Sequence, residues 1–85
     1  MSWRIEFSRS AAQQFRTLSR KEQQRIAVRI DALAENPRPA GAIKLTGEDG
    51  VYRLRSGDYR ILYAIQDDVL LVLVLKIGHR RDVYR

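Results

Sequence analysis

The 85-residue sequence contains no cysteine and a single histidine, His79. Without thiols there is no disulfide framework, thiolate metal site or cysteine nucleophile, and one imidazole serves at most one proton-transfer role. Proline occurs twice, tryptophan and methionine once each. The longest apolar run, Val69 to Leu75, is seven residues, against the roughly 20 that a membrane-spanning helix needs. The N-terminus shows no basic stretch followed by an apolar one, so no export leader is expected. Repeats, low-complexity tracts and linkers are also missing from the sequence. Yet 45% of the chain is hydrophobic, too much for a disordered basic tail. Length and composition together predict one domain over residues 1–85, soluble and cytoplasmic, with a single modest core.

Arginine is what the sequence has in excess. Lys+Arg total 16 against 10 Asp+Glu, giving a net charge of +6, and all but Lys21, Lys44 and Lys76 of the basic residues are Arg. The guanidinium fork grips phosphate bidentately, so the excess leans toward a nucleic-acid partner. A GC-rich genome produces the same excess through codon usage, so position has to decide. Net charge does not locate a site: residues 1–35 carry seven basic and four acidic side chains, and 36–85 carry nine and six.

Trp3, Ile5 and Phe7 alternate with Arg4 and Glu6, the pattern of a first strand. Ser8 or Ser10 then caps a helix, and Ala11, Phe15 and Leu18 mark its apolar face. Ser19 with Glu22 is a second capping box, opening a helix that carries Ile26, Ile30 and Leu33 to about Glu35. Asn36-Pro37 ends it. These helices are expected to form a hairpin. Ile43 to Thr46 has extended character, and strands are predicted at Val51–Arg55, Asp58–Gln66 and Val69–Ile77, the last apolar enough to be covered on both faces. The fold class that results is α+β: a helical hairpin packed on a small, mainly antiparallel sheet in the order β-α-α-β-β-β.

Side-chain parity then picks out a surface. With a two-residue turn at Ser56-Gly57, Tyr52, Leu54, Tyr59, Ile61 and Tyr63 share an apolar face, and Arg53 lies opposite Arg60 on the other. Moving the turn to Gly57-Asp58 sets Arg55 opposite Arg60 instead. Either way Arg53, Arg55 and Arg60 share one face. Directly opposed like charges cost about 0.2–1 kcal/mol, so compensation is expected. It comes either from ion pairs with Asp58, Glu48 or Asp49, or from a bound phosphate. After the last strand, Gly78 permits a change of direction, and a tail folded across the basic face would add His79, Arg80 and Tyr84 to it. A frayed basic terminus is the alternative. Lys21, Arg25 and Arg29 form an i, i+4, i+8 stripe that suits a solvated helix face, an acidic partner or ribosomal RNA. Lys44 either reaches phosphate or keeps its loop wet. Trp3 is read as packing in the sheet.

Three stretches resemble the RelE/ParE toxin superfamily: Ile43-Lys44-Leu45-Thr46-Gly47, the run Val51-Tyr52-Arg53-Leu54-Arg55-Ser56-Gly57-Asp58-Tyr59-Arg60-Ile61-Leu62-Tyr63, and Gly78-His79-Arg80-Arg81-Asp82-Val83-Tyr84. The Tyr-Arg-Leu-Arg-x-Gly-Asp-Tyr-Arg run with the terminal Gly-His-Arg-x-x-Val-Tyr points to the RelE branch of type II toxin–antitoxin systems. The resemblance covers essentially the whole chain and implies the RelE-like microbial RNase fold. It further implies a ribosome-dependent endoribonuclease that cuts mRNA in the A site of the 70S ribosome by transesterification from the ribose 2′-OH, with no metal or cofactor. Carried over residue by residue, the catalytic set falls on Arg53, Arg60, Arg80 and Tyr84, with Lys44, Arg55, His79 and Arg81 binding RNA. Arg53 and Arg60 would hold the scissile phosphate, Arg80 would face the leaving oxygen, and Tyr84 or His79 would activate the 2′-OH. His79 departs from the best-known members, which carry Lys beside the tail Arg; Arg53 and Arg55 stand where those members partly use Lys, which leaves the essential one of the two open. The implied partners are a RelB-like antitoxin, the ribosome and mRNA, with DNA reached only through the antitoxin complex and no membrane. The rival reading on the same fold is a ParE-like poison of DNA gyrase without nuclease activity.

Overall fold

A computed structural model describes residues 2–81. In chain order they form β1 (Arg4–Phe7), α1 (Arg9–Thr17), α2 (Arg20–Ala32), β2 (Ile43–Lys44), β3 (Val51–Ser56), β4 (Tyr59–Gln66) and β5 (Leu71–His79), with a 3-10 turn at Asp67–Val69. The five strands make one mixed sheet in the order β1-β5-β4-β3-β2. β1 runs parallel to β5 and every other pair is antiparallel. This is the expected α+β class, with the extended stretch at Ile43 forming a short fifth strand. None of the described helices is long and apolar enough to cross a membrane.

The helix boundaries follow from local chemistry. Ser8, rather than Ser10, caps α1, its Oγ accepting from the Ala11 N–H at 3.0 Å. The Ser19 hydroxyl does the same for Glu22 at 3.2 Å, so only Leu18 and Ser19 separate α1 from α2. α2 ends at Ala32, three residues before the expected Glu35. Asn36 Oδ1 accepts from the Arg38 N–H across Pro37, a side-chain turn that directs the chain away from the helix.

Both helices cover the same face of the sheet. Ala11, Ile26, Ile30 and Leu33 pack onto Leu54, Ile61, Tyr63, Ile65, Val72, Val74 and Ile77. Trp3 packs at the margin of this cluster. Tyr63 is fully buried, donates its hydroxyl to the Pro37 carbonyl at 2.8 Å and stacks on Tyr52 at 5.9 Å. Burial pushes its phenol up to about 12. Arg38 binds both carboxylate oxygens of Asp67, at 3.2 and 2.9 Å, and Tyr52 Oη at 3.1 Å. The guanidinium holds the Asp67 carboxyl below its ordinary value. The loop after α2 is thereby tied to the turn before β5.

β5 departs from expectation at both ends. It starts at Leu71 rather than Val69, because residues 67–69 close into the 3-10 turn and Leu70 takes a left-handed φ of 50°. It also runs through Gly78 to His79, so the chain does not turn at Gly78, which instead lies opposite Arg60. Between these ends the register shifts: Leu62 pairs with Lys76 but Tyr63 with Val74, leaving Leu75 as a bulge. Helix α1 satisfies the backbone there. Ser8 donates through Oγ to the Leu75 carbonyl at 2.9 Å and through its N–H to the Val74 carbonyl at 2.8 Å. Gln14 Oε1 accepts from the Ile77 N–H at 2.7 Å. The extra residue resets parity, so Val72, Val74 and Ile77 all reach the core, while Lys76 turns to the opposite face beside Leu62.

Candidate functional site

The β3–β4 hairpin fixes the geometry of the arginine face. Its two loop residues are Gly57 and Asp58, with Ser56 opposite Tyr59 and Arg55 opposite Arg60. Of the two registers open in the sequence, this is the one with the shifted turn. The reason is backbone sterics. Gly57 stands at φ +60° in the first loop position, where a type II′ turn requires a positive φ. A loop at Ser56-Gly57 would have placed serine there. In the observed register Arg53 pairs with Leu62, and Ile43 of β2 pairs with Arg53. Arg53, Arg55 and Arg60 therefore share the sheet face away from the helices, together with Ile43, Leu62 and Lys76.

Among the described residues, no carboxylate neutralises Arg55 or Arg60. Among the described residues the ion pairs are Arg4–Glu6, Arg25–Glu22 and Arg38–Asp67, and none involves Arg55 or Arg60. Asp58, Glu48 and Asp49, the expected partners, pair with neither. The Arg55 Nε donates to the Gly57 carbonyl at 3.0 Å. Arg60 Nη1 is buried and, among the described residues, has no hydrogen-bond partner. A guanidinium nitrogen withdrawn from water in this way is costly unless something accepts its hydrogens. Arg53, Arg55 and Arg60 line a cavity of about 480 Å³ together with Arg29, Gly41, Ile43 and Gly57. Four arginines around one cavity have the chemistry to receive an anion, since guanidinium forks match phosphate oxygens.

The remaining candidate residues are distributed unevenly. The Arg80 N–H donates to the Asp58 carbonyl at 2.8 Å, which sets the start of the C-terminal segment beside the hairpin turn. Arg81 is exposed. His79 does not join the arginine face. It lies opposite Tyr59, on the helix side, with its ring edge-on to the tyrosine at 5.8 Å and 75°. Its Nδ1 accepts from the Arg81 N–H at 3.3 Å. Lys44 pairs with Tyr52 and so takes the helix-side parity too, at the exposed edge strand. Tyr84 lies outside the described residues.

Two residues of the site were not singled out by the sequence pattern. Lys76 reaches the arginine face only because of the bulge at Leu75, which no periodicity announces. Arg29 belongs to the helical layer, and the basic stripe containing it was its sole trace in the sequence. It lines the cavity and its Nη2 donates to the Arg55 carbonyl at 3.0 Å.

A family model described as the ParE toxin of the type II toxin-antitoxin system, parDE, matches residues 5–84. A putative RelE-like toxin protein from Escherichia coli is 30% identical over 88 residues, spanning 99% of this chain and 92% of that protein. The mRNA interferase toxin RelE of Escherichia coli strain K12 gives the same identity and the same two coverages. The toxin fold in the archaeal RelE–RelB complex from Pyrococcus horikoshii OT3 superposes with a TM-score of 0.84 at 26% identity, covering 98% of this chain and 100% of that one.

Proposed function

The chain belongs to the RelE/ParE superfamily of type II toxin–antitoxin toxins, on its RelE-like branch, and from that premise we propose that it is a ribosome-dependent endoribonuclease. Its substrate is mRNA in the ribosomal A site, its compartment the cytoplasm, and residues 1–85 act as one toxin domain. The observation that carries the proposal is the opposed Arg55–Arg60 pair at the cavity, with no carboxylate on either and no partner for the buried Arg60 Nη1 among the described residues.

The reaction needs little covalent work from the protein. The ribose 2′-oxygen loses its proton and attacks the adjacent phosphorus. A new O–P bond closes a 2′,3′-cyclic phosphate, and the proton of the 2′-OH passes to the base that activates it. The P–O5′ bond breaks, the departing oxygen taking a proton from water to leave the next nucleotide with a 5′-hydroxyl. Negative charge accumulates on the non-bridging oxygens as the phosphorus becomes five-coordinate. Arg60 and Arg53 stabilise that charge, with Arg55 at the rim, and removal of one such donor costs on the order of 10²–10³ in rate. Arg80, set beside the turn by its bond to Asp58, meets the charge on the departing 5′-oxygen. Its guanidinium stays protonated in proteins, so it acts by charge and hydrogen bonding rather than by giving up a proton. Tyr84 is assigned to the 2′-OH. His79 is less suited to that role, because it lies on the helix side of the sheet opposite Tyr59 and its Nδ1 accepts from the Arg81 N–H. His79 and Arg81 are left to bind RNA beside the catalytic set. Lys44, turned to the other face, is left to contact the partner chain or ribosome around the edge of β2.

Structural relatives that are complexes with RelB support a RelB-like antitoxin as the physiological partner; DNA is then contacted through that complex. A second reading is favoured by the family model itself, whose description is ParE: a gyrase poison without nuclease activity. Programmed 70S ribosomes separate the two. The nuclease reading requires mRNA cut at the A-site codon, leaving a 2′,3′-cyclic phosphate, with the cut greatly slowed by Tyr84→Phe. Intact mRNA, together with DNA-damage signalling on expression, would establish the gyrase poison instead.

A further inference from the structure

We propose that Arg29 of α2 is a positioning residue of the phosphate site, an inference that rests on the RNA-cleaving reading. It starts from a gap in the sheet. β2 is two residues long and pairs only with Tyr52 and Arg53. Beyond Arg53 the outer edge of β3 has no neighbouring strand among the described residues, and an edge carbonyl there needs a donor. Arg29 supplies it, crossing from the helical layer to the Arg55 carbonyl at 3.0 Å. The same side chain lines the cavity of Arg53, Arg55 and Arg60.

A carbonyl can be satisfied by water or a neutral side chain. Here a third cation stands next to two arginines that already oppose one another. Arg25, one turn earlier on α2, also approaches the turn, with Nη1 3.7 Å from where a Cβ on Gly57 would stand. Arg25 has Glu22 at 3.8 Å as a counter-charge, whereas Arg29 pairs with no carboxylate among the described residues. The consequence is a chain of constraints. Arg29 fixes the Arg55 backbone, Arg55 Nε is tied back on the Gly57 carbonyl, and Arg60 keeps a buried nitrogen with no partner among the described residues. Arg29 thus acts on the anion through the Arg55 backbone it holds and through its charge beside the cavity. Placement of cationic donors before the anion arrives is what makes such a site effective.

The test follows the Nε–H NMR signals of Arg55 and Arg60 during titration with inorganic phosphate, alongside single-turnover cleavage on programmed ribosomes. Wild type should show saturable shifts at both arginines. Arg29→Met, which keeps the stem but not the charge, should weaken phosphate affinity by about five-fold or more. It should also slow cleavage at saturating ribosome by about ten-fold, with the half-saturating ribosome concentration changed less than about two-fold. Arg29→Lys should recover both to within about three-fold, and Lys21→Ala, on the same helix stripe but away from the cavity, should match wild type within about two-fold. No phosphate response in wild type, or equal phosphate affinity in Arg29→Met, overturns the proposal. So does an Arg29→Met protein that cuts normally and loses only antitoxin affinity, since Arg29 would then be a partner contact. Phosphate binding that depends on Arg29 in a protein that cuts no mRNA leaves this inference standing and removes the nuclease reading.

Discussion

The two faces of the β3–β4 hairpin are built from alternate residues of the same stretch, Val51 to Ala64, yet they obey opposite rules. On the helix side, Leu54, Ile61 and Tyr63 are buried with every polar atom accounted for, down to the Tyr63 hydroxyl on the Pro37 carbonyl. On the other side, one residue along, Arg55 opposes Arg60 and a guanidinium nitrogen is buried with no acceptor among the described residues. One face minimises free energy for the chain alone. The other leaves, among the described residues, a buried donor without an acceptor, which under the proposed function an anion would satisfy at some cost to stability.

Substitution at neighbouring positions should expose that contrast. Ile61→Ala opens a cavity under both helices and should cost about 2–5 kcal/mol of stability; its neighbour Arg60→Ala should slow cleavage on the order of 10²–10³-fold while the melting temperature holds or rises. Calorimetry and single-turnover cleavage measured on both proteins check the pair. A large loss of stability in Arg60→Ala would mean that its guanidinium serves the fold, and the contrast between faces would fail.

A smaller effect tests the satisfied face by pH. Tyr63→Phe leaves the Pro37 carbonyl without its donor and should destabilise the protein by about 1–3 kcal/mol. Folding raises the Tyr63 phenol from 10.0 to about 12, so the neutral form is the one the fold prefers. The associated stability is intact below pH 10 and drains away as pH rises from 10 toward 12. Urea titrations across that window should show wild type losing this increment and Tyr63→Phe lacking the corresponding slope. Equal slopes would show that Tyr63 ionises freely in the folded protein.

The smallest effect has the most telling sign. Arg55→Thr removes one of two directly opposed cations and puts a β-branched residue in the strand, and should raise stability by about 0.2–1 kcal/mol while cleavage falls. A loss of stability in urea would instead show that the Arg55 bond to Gly57 outweighs the repulsion.

Much of this was legible in the linear sequence because the relevant signals are local. Ser19 with Glu22 announces the start of α2, and alternation places Arg53, Arg55 and Arg60 together whichever two-residue turn joins the strands. Other features depended on partners far along the chain. His79 was expected on the arginine face and Lys76 was not singled out for it. The bulge at Leu75, held by Ser8 some 67 positions earlier, gives Lys76 that face and leaves His79 on the helix side. Lys44 was placed by its pairing with Tyr52, on the side away from the arginines.

The sequence by itself determined the class of fold, the apolar face of the sheet and the identity of the arginines that share the other, since each follows from 3.6- and two-residue periods and from charge. Tertiary structure alone decided which arginines oppose each other, which one has a buried guanidinium nitrogen, and that Arg29 joins them from a helix. The physical reason is that register is set by the φ a turn residue can adopt, as Gly57 shows at +60°. Access to the site, in turn, is set by where a neighbouring strand ends, as β2 does at Ile43, opposite Arg53. Neither quantity is carried by periodicity.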